Sequence, residues 1–154
     1  MKKRTIMGIG PVWTLLSICF AFLIILLNTR VFPELVFPFP PIFRYLFGIT
    51  TLSAGFIMMI VSIITFRKAF VAKKLITKGV YSICRNPLYG SLIFFTVPGM
   101  VVLCNYALGL FVPVFMYVLF QFQIPNEEKL LEKEFGAEYL KYKKSVHALF
   151  PRFR

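Results

Sequence analysis

Apolar residues in this chain come in long uncharged runs, not at the helical or alternating spacing of half-buried helices and strands. Residues 5–29, 45–66 and 86–126 carry no charged side chain. A helix needs about 20 apolar residues to cross the hydrocarbon of a bilayer. The first two runs supply one span each. The third, 41 residues long, supplies two, with the turn at its polar dent Cys104-Asn105-Tyr106. The pattern predicts an all-α integral membrane bundle forming a single domain over residues 1–154. Its spans fall at about 7–27, 45–66, 88–104 and 107–124. After the last span, Pro125-Asn126 opens a cytoplasmic amphipathic helix, with Asn126 as its cap and Glu127 and Glu128 in its first turn.

Composition agrees with the runs. The chain is 58% hydrophobic and its mean hydropathy is +0.78. A net charge of +12 raises the question of nucleic acid. The placement of the charges answers it. Lys2, Lys3 and Arg4 precede the first span, and Arg67, Lys68, Lys73, Lys74, Lys78 and Arg85 separate the second from the third. Seven more basic residues follow the fourth. The loop after the first span holds only Arg30 and Arg44. This asymmetry predicts a multi-pass protein with both termini cytoplasmic, and it excludes a nucleic-acid function. The first run is long for a signal peptide and lacks a clear cleavage site, so it reads as a retained span. The proline-rich loop 31–41 is expected in the outer interface or folded back over the bundle. Ser53-Ala54-Gly55 suits close helix packing. Pro98 and Pro113 can kink their helices. Trp13 and the tyrosines suit the headgroup level.

Cys19, Cys84 and Cys104 show no metal spacing, and His147 is the only histidine, so no metal site is expected. Cys84 beside Arg85 reads as a buried spacer. The chemistry lies in two polar islands at the cytoplasmic ends of the spans. One is Gly79-Val80-Tyr81-Ser82-Ile83-Cys84-Arg85-Asn86-Pro87-Leu88-Tyr89-Gly90. The other is Asn126-Glu127-Glu128-Lys129-Leu130-Leu131, then Phe135-Gly136-Ala137-Glu138-Tyr139 and Tyr142. Ionisable groups at membrane depth point to function. Gly79 permits a positive φ or close approach to a ligand. Arg85 and Asn86 precede a helix N-terminus that suits an anion. Glu128, Leu131, Phe135, Tyr139 and Tyr142 recur on one helical face, so Glu128 is expected to matter more than Glu127. Carboxylates, tyrosine rings and a guanidinium together can surround a zwitterion such as S-adenosylmethionine, one option among several.

The two islands, in this order and spacing, resemble the isoprenylcysteine carboxyl methyltransferases and the related phospholipid N-methyltransferases over about residues 75–151. The resemblance implies an integral membrane enzyme that uses S-adenosylmethionine at the cytoplasmic face, with cofactor segments at 75–90 and 125–145. It implies that Gly79, Tyr81, Arg85, Asn86, Pro87 and Tyr89 wall one side of the cofactor pocket. Glu127 and Glu128 wall the other, and Tyr139 and Tyr142 close it. Arg85 and Glu128 are the catalytic candidates, with Arg85 favoured for orienting the acceptor. Asn86 departs from the histidine usual in the eukaryotic carboxyl methyltransferases; it can hydrogen-bond but not titrate. The implied partners are the lipid bilayer and a hydrophobic or lipid-like acceptor methylated on a carboxylate or an amine. Two other readings stay open: an NADPH-dependent membrane reductase of the sterol-reductase type, and a non-catalytic membrane protein that keeps the fold.

Overall fold

The computed structural model describes residues 10–72 and 74–149. Lys2, Lys3, Arg4, Lys73, Arg152 and Arg154 lie outside the described residues, as do the first residues of the predicted first span. Helices and turns make up the described residues, with no strand among them. Helix α1 is Gly10–Arg30 and α2 is Pro41–Ala72. The third span, Pro87–Cys104, is built from α3 (Pro87–Ser91), a π turn (Leu92–Thr96) and α4 (Val97–Cys104). A 3₁₀ turn, Ala107–Leu110, leads into α5 (Phe111–Phe135), and α6 is Ala137–Ser145. Among the described residues four stretches are long and apolar enough to cross a membrane, as the uncharged runs predict.

Helix α1 packs on α5, α2 packs on the third span, and those two pairs meet through the π turn and α5. Only 17% of the most apolar window of α1, and of α2, is buried, against 39% and 33% for the third and fourth spans. The outward faces are therefore apolar, with Leu15, Ile18 and Phe22 exposed on α1 and Phe43, Leu46 and Ile57 on α2. In water such faces would be unstable; against lipid chains they need no cover. The core joins Trp13, Ile93, Val112, Met116, Phe120 and Ile124 with Leu149, which follows α6.

Trp13 is buried in this core and is not a surface aromatic. It is 2% exposed, its indole N–H donates to the Met116 carbonyl at 3.0 Å, and its ring meets Tyr89 edge-on at 5.0 Å. An indole with a partner for its one donor is more stable buried than at an interface. The expectation of a separate helix opening at Pro125 is also corrected. Helix α5 runs on through Pro125 to Phe135, so Asn126 is no cap and the glutamates do not lie in a first turn. Proline removes one N–H, but the stripe Phe120, Ile124, Leu131, Phe135 continues on one face across it. The break comes instead at Gly136, whose φ of 53° and ψ of −127° suit glycine alone.

Pro98 has no N–H for the α-helical bond to the Phe94 carbonyl, and the segment that contains Phe94 is wound as a π turn. Pro113 sits in the first turn of α5, where a missing N–H costs nothing. At the other end Asn105, at φ 60°, closes the third span and accepts from the Phe37 N–H at 3.1 Å, folding the proline-rich loop back over the bundle. Of Ser53, Ala54 and Gly55, only Gly55 lies in the helix contact, facing Thr96; Gly48 and Gly99 complete it. A Cβ on Gly99 would lie 2.8 Å from the Leu52 backbone nitrogen and 3.1 Å from the Gly48 carbonyl oxygen. Backbone cannot rotate away as a side chain can. Gly99→Ala is therefore expected to destabilise the protein by about 1–3 kcal/mol, read as a lowered unfolding midpoint in detergent. An unchanged midpoint would mean that the two spans separate freely.

Candidate functional site

At the end of the bundle where α1 begins and α2 ends, a cavity of about 420 Å³ opens between α1, α2, the start of the third span, the end of α5, and α6. Both polar islands reach it. Tyr81, Arg85, Asn86 and Tyr89 from the first, and Glu127, Tyr139 and Tyr142 from the second, line its wall. Gly79, Pro87 and Glu128 do not.

Each of those three acts from behind the wall. Gly79, at φ 65°, starts the 3₁₀ turn Gly79–Ser82 that turns Tyr81 inward. A Cβ there would meet nothing, so the backbone angle, not crowding, requires glycine. Pro87 is fully buried and starts α3. Glu128 accepts from Arg85 Nη2 at 2.7 Å and from Lys143 Nζ at 2.7 Å, and Lys143 also meets Glu132 at 2.7 Å. Glu128 thus shares the stripe with Leu131 and Phe135, and that stripe faces α6. Glu127, one position earlier, turns about 100° away, onto the cavity wall.

The first island is held by the chain after α6. The Arg85 and Asn86 N–H groups donate to the His147 and Ala148 carbonyls, each at 2.9 Å, and the Asn86 side-chain amide donates to the Ala148 carbonyl at 3.3 Å. These two N–H groups, which precede the helix, are therefore already partnered. Tyr142 donates its hydroxyl to the Tyr81 carbonyl, tying α6 to the 3₁₀ turn. Arg85 Nη1 donates to the Tyr139 hydroxyl at 3.5 Å. Cys84 is 2% exposed and burial pushes its thiol up, so it is a packing residue.

Two buried polar atoms on this wall lack a hydrogen-bond partner: Arg85 Nε and Glu127 Oε2. One is a donor and the other an acceptor. Buried groups left so are costly unless something meets them. Burial, with Cys84 and Glu127 nearby, raises Tyr81 to about 12, and burial next to Glu128 raises Tyr139 to about 12. Burial raises Tyr142 as well. At neutral pH all three stay hydroxyls, so they donate hydrogen bonds and offer uncharged rings. The described lining contains no histidine.

Several lining or supporting residues were not singled out by sequence. Ser62 and Phe66 lie inside an apolar run and gave no signal. Gly10 and Pro11 come from α1, outside both islands. Lys74 stands on the cavity rim, exposed and in no ion pair with a described carboxylate. Lys143 lies four residues after Tyr139, on the same face of α6, and that spacing could have marked it.

A family model described as phospholipid methyltransferase matches residues 43–138 of this chain. Protein-S-isoprenylcysteine O-methyltransferase B of Arabidopsis thaliana is 32% identical over 114 residues, covering 68% of this chain and 58% of that protein. A probable protein-S-isoprenylcysteine O-methyltransferase of Oryza sativa subsp. indica is 30% identical over 149 residues, 88% of this chain and 74% of the relative. The Mus musculus protein-S-isoprenylcysteine O-methyltransferase is 36% identical over 77 residues, 50% of this chain and 27% of its own length. The chain thus spans little more than half the length of the Arabidopsis relative.

Proposed function

Because the chain belongs to the phospholipid methyltransferase family, we propose that it is a membrane methyltransferase that uses S-adenosylmethionine and methylates a lipid-like acceptor on a carboxylate. The observation that carries this reading is the pair of orphaned buried atoms on one cavity wall, Arg85 Nε and Glu127 Oε2. A donor on a guanidinium and an acceptor on a carboxylate are the complement of an α-amino acid, which presents a carboxylate and an ammonium. S-adenosylmethionine ends in that zwitterion and supplies, when bound, an electrophilic methyl group on a sulfonium. Glu127 would accept from the ammonium and Arg85 Nε would donate to the carboxylate. The Tyr81, Tyr89 and Tyr139 rings suit the cation and the adenine. This assigns Arg85 to the cofactor and leaves the acceptor's anion to Lys74 at the rim.

No histidine stands in the described lining to serve as a base. Tyr81 and Tyr139 titrate too high, and Glu127 is committed to the ammonium. An amine would have to lose a proton first, whereas a carboxylate is already a nucleophile at neutral pH. The relatives that are O-methyltransferases acting on isoprenylcysteine support the same choice. The apolar part of the wall, Ile63, Phe66 and Leu88, suits an acceptor that enters sideways from the bilayer.

Calorimetry of the purified protein with S-adenosylhomocysteine and with NADPH tests the reading. Binding of the first alone is expected, since about 420 Å³ is the low end of ligand sites and leaves little room for a dinucleotide. Binding of NADPH alone would favour a reductase, and binding of neither a non-catalytic role. The reading also sets the cavity end in the cytoplasm. Single cysteines at positions 74 and 141 are expected to label from that side only; labelling from opposite faces would overturn the topology.

A further inference from the structure

Lys143 does not line the cavity. It belongs instead to a linear chain of charges, Arg85–Glu128–Lys143–Glu132, each link 2.7 Å long. Both oxygens of Glu128 are taken, one by each cation. This matters for Arg85. A guanidinium beside a free carboxylate prefers the two-pronged pairing, which can take Nε as well as a terminal nitrogen. Here Lys143 occupies the second oxygen, so Glu128 holds Arg85 by Nη2 alone and Nε, buried in a residue of the cavity wall, keeps no hydrogen-bond partner. The same ammonium fastens α6 to α5 across the Gly136 break, and α6 carries Tyr139 and Tyr142.

We propose that Lys143 is a positioning residue of the cofactor site: it occupies Glu128 so that the Arg85 Nε–H remains available to the cofactor's carboxylate. The inference rests on the proposed cofactor reading. The Lys143 side chain is 37% exposed, so the pairing with Glu128 matters here for geometry more than for stability. The hydrogen bonds it donates to Glu128 and Glu132 hold its ammonium charged, so the arrangement persists at neutral pH.

The test is a cycle of variants, with S-adenosylhomocysteine affinity measured by calorimetry and unfolding midpoints measured alongside. Lys143→Met is expected to weaken binding by about threefold or more, the lower range for coupled charged neighbours. Lys143→Arg, which keeps a cation in reach of Glu128, is expected to restore it. In a Glu128→Gln background the Lys143→Met change should have little further effect, because there is no carboxylate to hold off Arg85. Equal losses in both backgrounds, or wild-type affinity in Lys143→Met, would overturn the proposal. A lowered midpoint with unchanged affinity would make Lys143 a structural latch only and would overturn it equally. Failure of the wild-type protein to bind S-adenosylhomocysteine would instead refute the cofactor reading, and this inference with it.

Discussion

Glu127→Gln is expected to weaken S-adenosylhomocysteine binding at least tenfold while leaving the ligand-free protein as stable as before, or more so. The two effects share one cause. Glu127 Oε2 is buried with no hydrogen-bond partner, so in the empty protein the charge is a cost. An amide in the same place carries no charge and lowers that cost. With the ligand bound, the same carboxylate meets an ammonium, and losing one partner of a desolvated charge pair costs on the order of 2–5 kcal/mol. Tenfold is about 1.4 kcal/mol, the modest end of that range. The combination of lost affinity with preserved stability separates a binding residue from a structural one. Unchanged affinity would remove Glu127 from the site.

Arg85→Lys is expected to raise the dissociation constant for the same ligand at least tenfold, and to lower the unfolding midpoint as well. Arg85 is 10% exposed and Glu128 12%, and the guanidinium serves Glu128, Tyr139 and, on the proposed reading, the cofactor from three different nitrogens. A lysine has one nitrogen and cannot reach all three. Breaking a buried pair by removing one partner is typically worth about 3–5 kcal/mol; lysine keeps the charge and should lose less. Should affinity stay at the wild-type level while turnover falls, the guanidinium orients the acceptor, the role favoured from sequence. Wild-type behaviour in both would leave Arg85 a topology charge.

The spans were legible because a bilayer imposes its thickness on composition, and helices that face water on one side do not sustain uncharged runs of that length. The turn at Asn105 was legible for a similar reason: a polar dent interrupts an otherwise continuous pattern, whereas the break at Gly136 was not foreseen, because the stripe from Glu128 to Tyr142 keeps one helical spacing across it. Nor was Trp13. An aromatic near the start of a span suits an interface or a core equally, and only the Met116 carbonyl facing it across α5 decides. Pro125 misled because local chemistry signals a new helix there, while the buried stripe on either side of it favours one continuous helix. The islands themselves were readable, and the cavity gathers seven of the candidate site residues they supplied: Tyr81, Arg85, Asn86, Tyr89, Glu127, Tyr139 and Tyr142. Which glutamate faces it was not readable. Adjacent residues on a helix point about 100° apart, and the choice depends on where α6 lies after Gly136. Lys74 and Ser62 owe their places at the cavity to tertiary packing alone.

Transfer of a labelled methyl group is the decisive measurement. Purified protein in lipid vesicles would receive S-adenosylmethionine labelled on its methyl, together with an apolar acceptor that carries a free carboxylate. Carboxyl methylation at this site predicts label in a lipid-soluble product that is released as methanol by mild alkali, as an ester requires, and little label with Glu127→Gln. Label that survives alkali would mark an amine acceptor, and incorporation no greater than in the Glu127→Gln control would refute methyl transfer at this cavity.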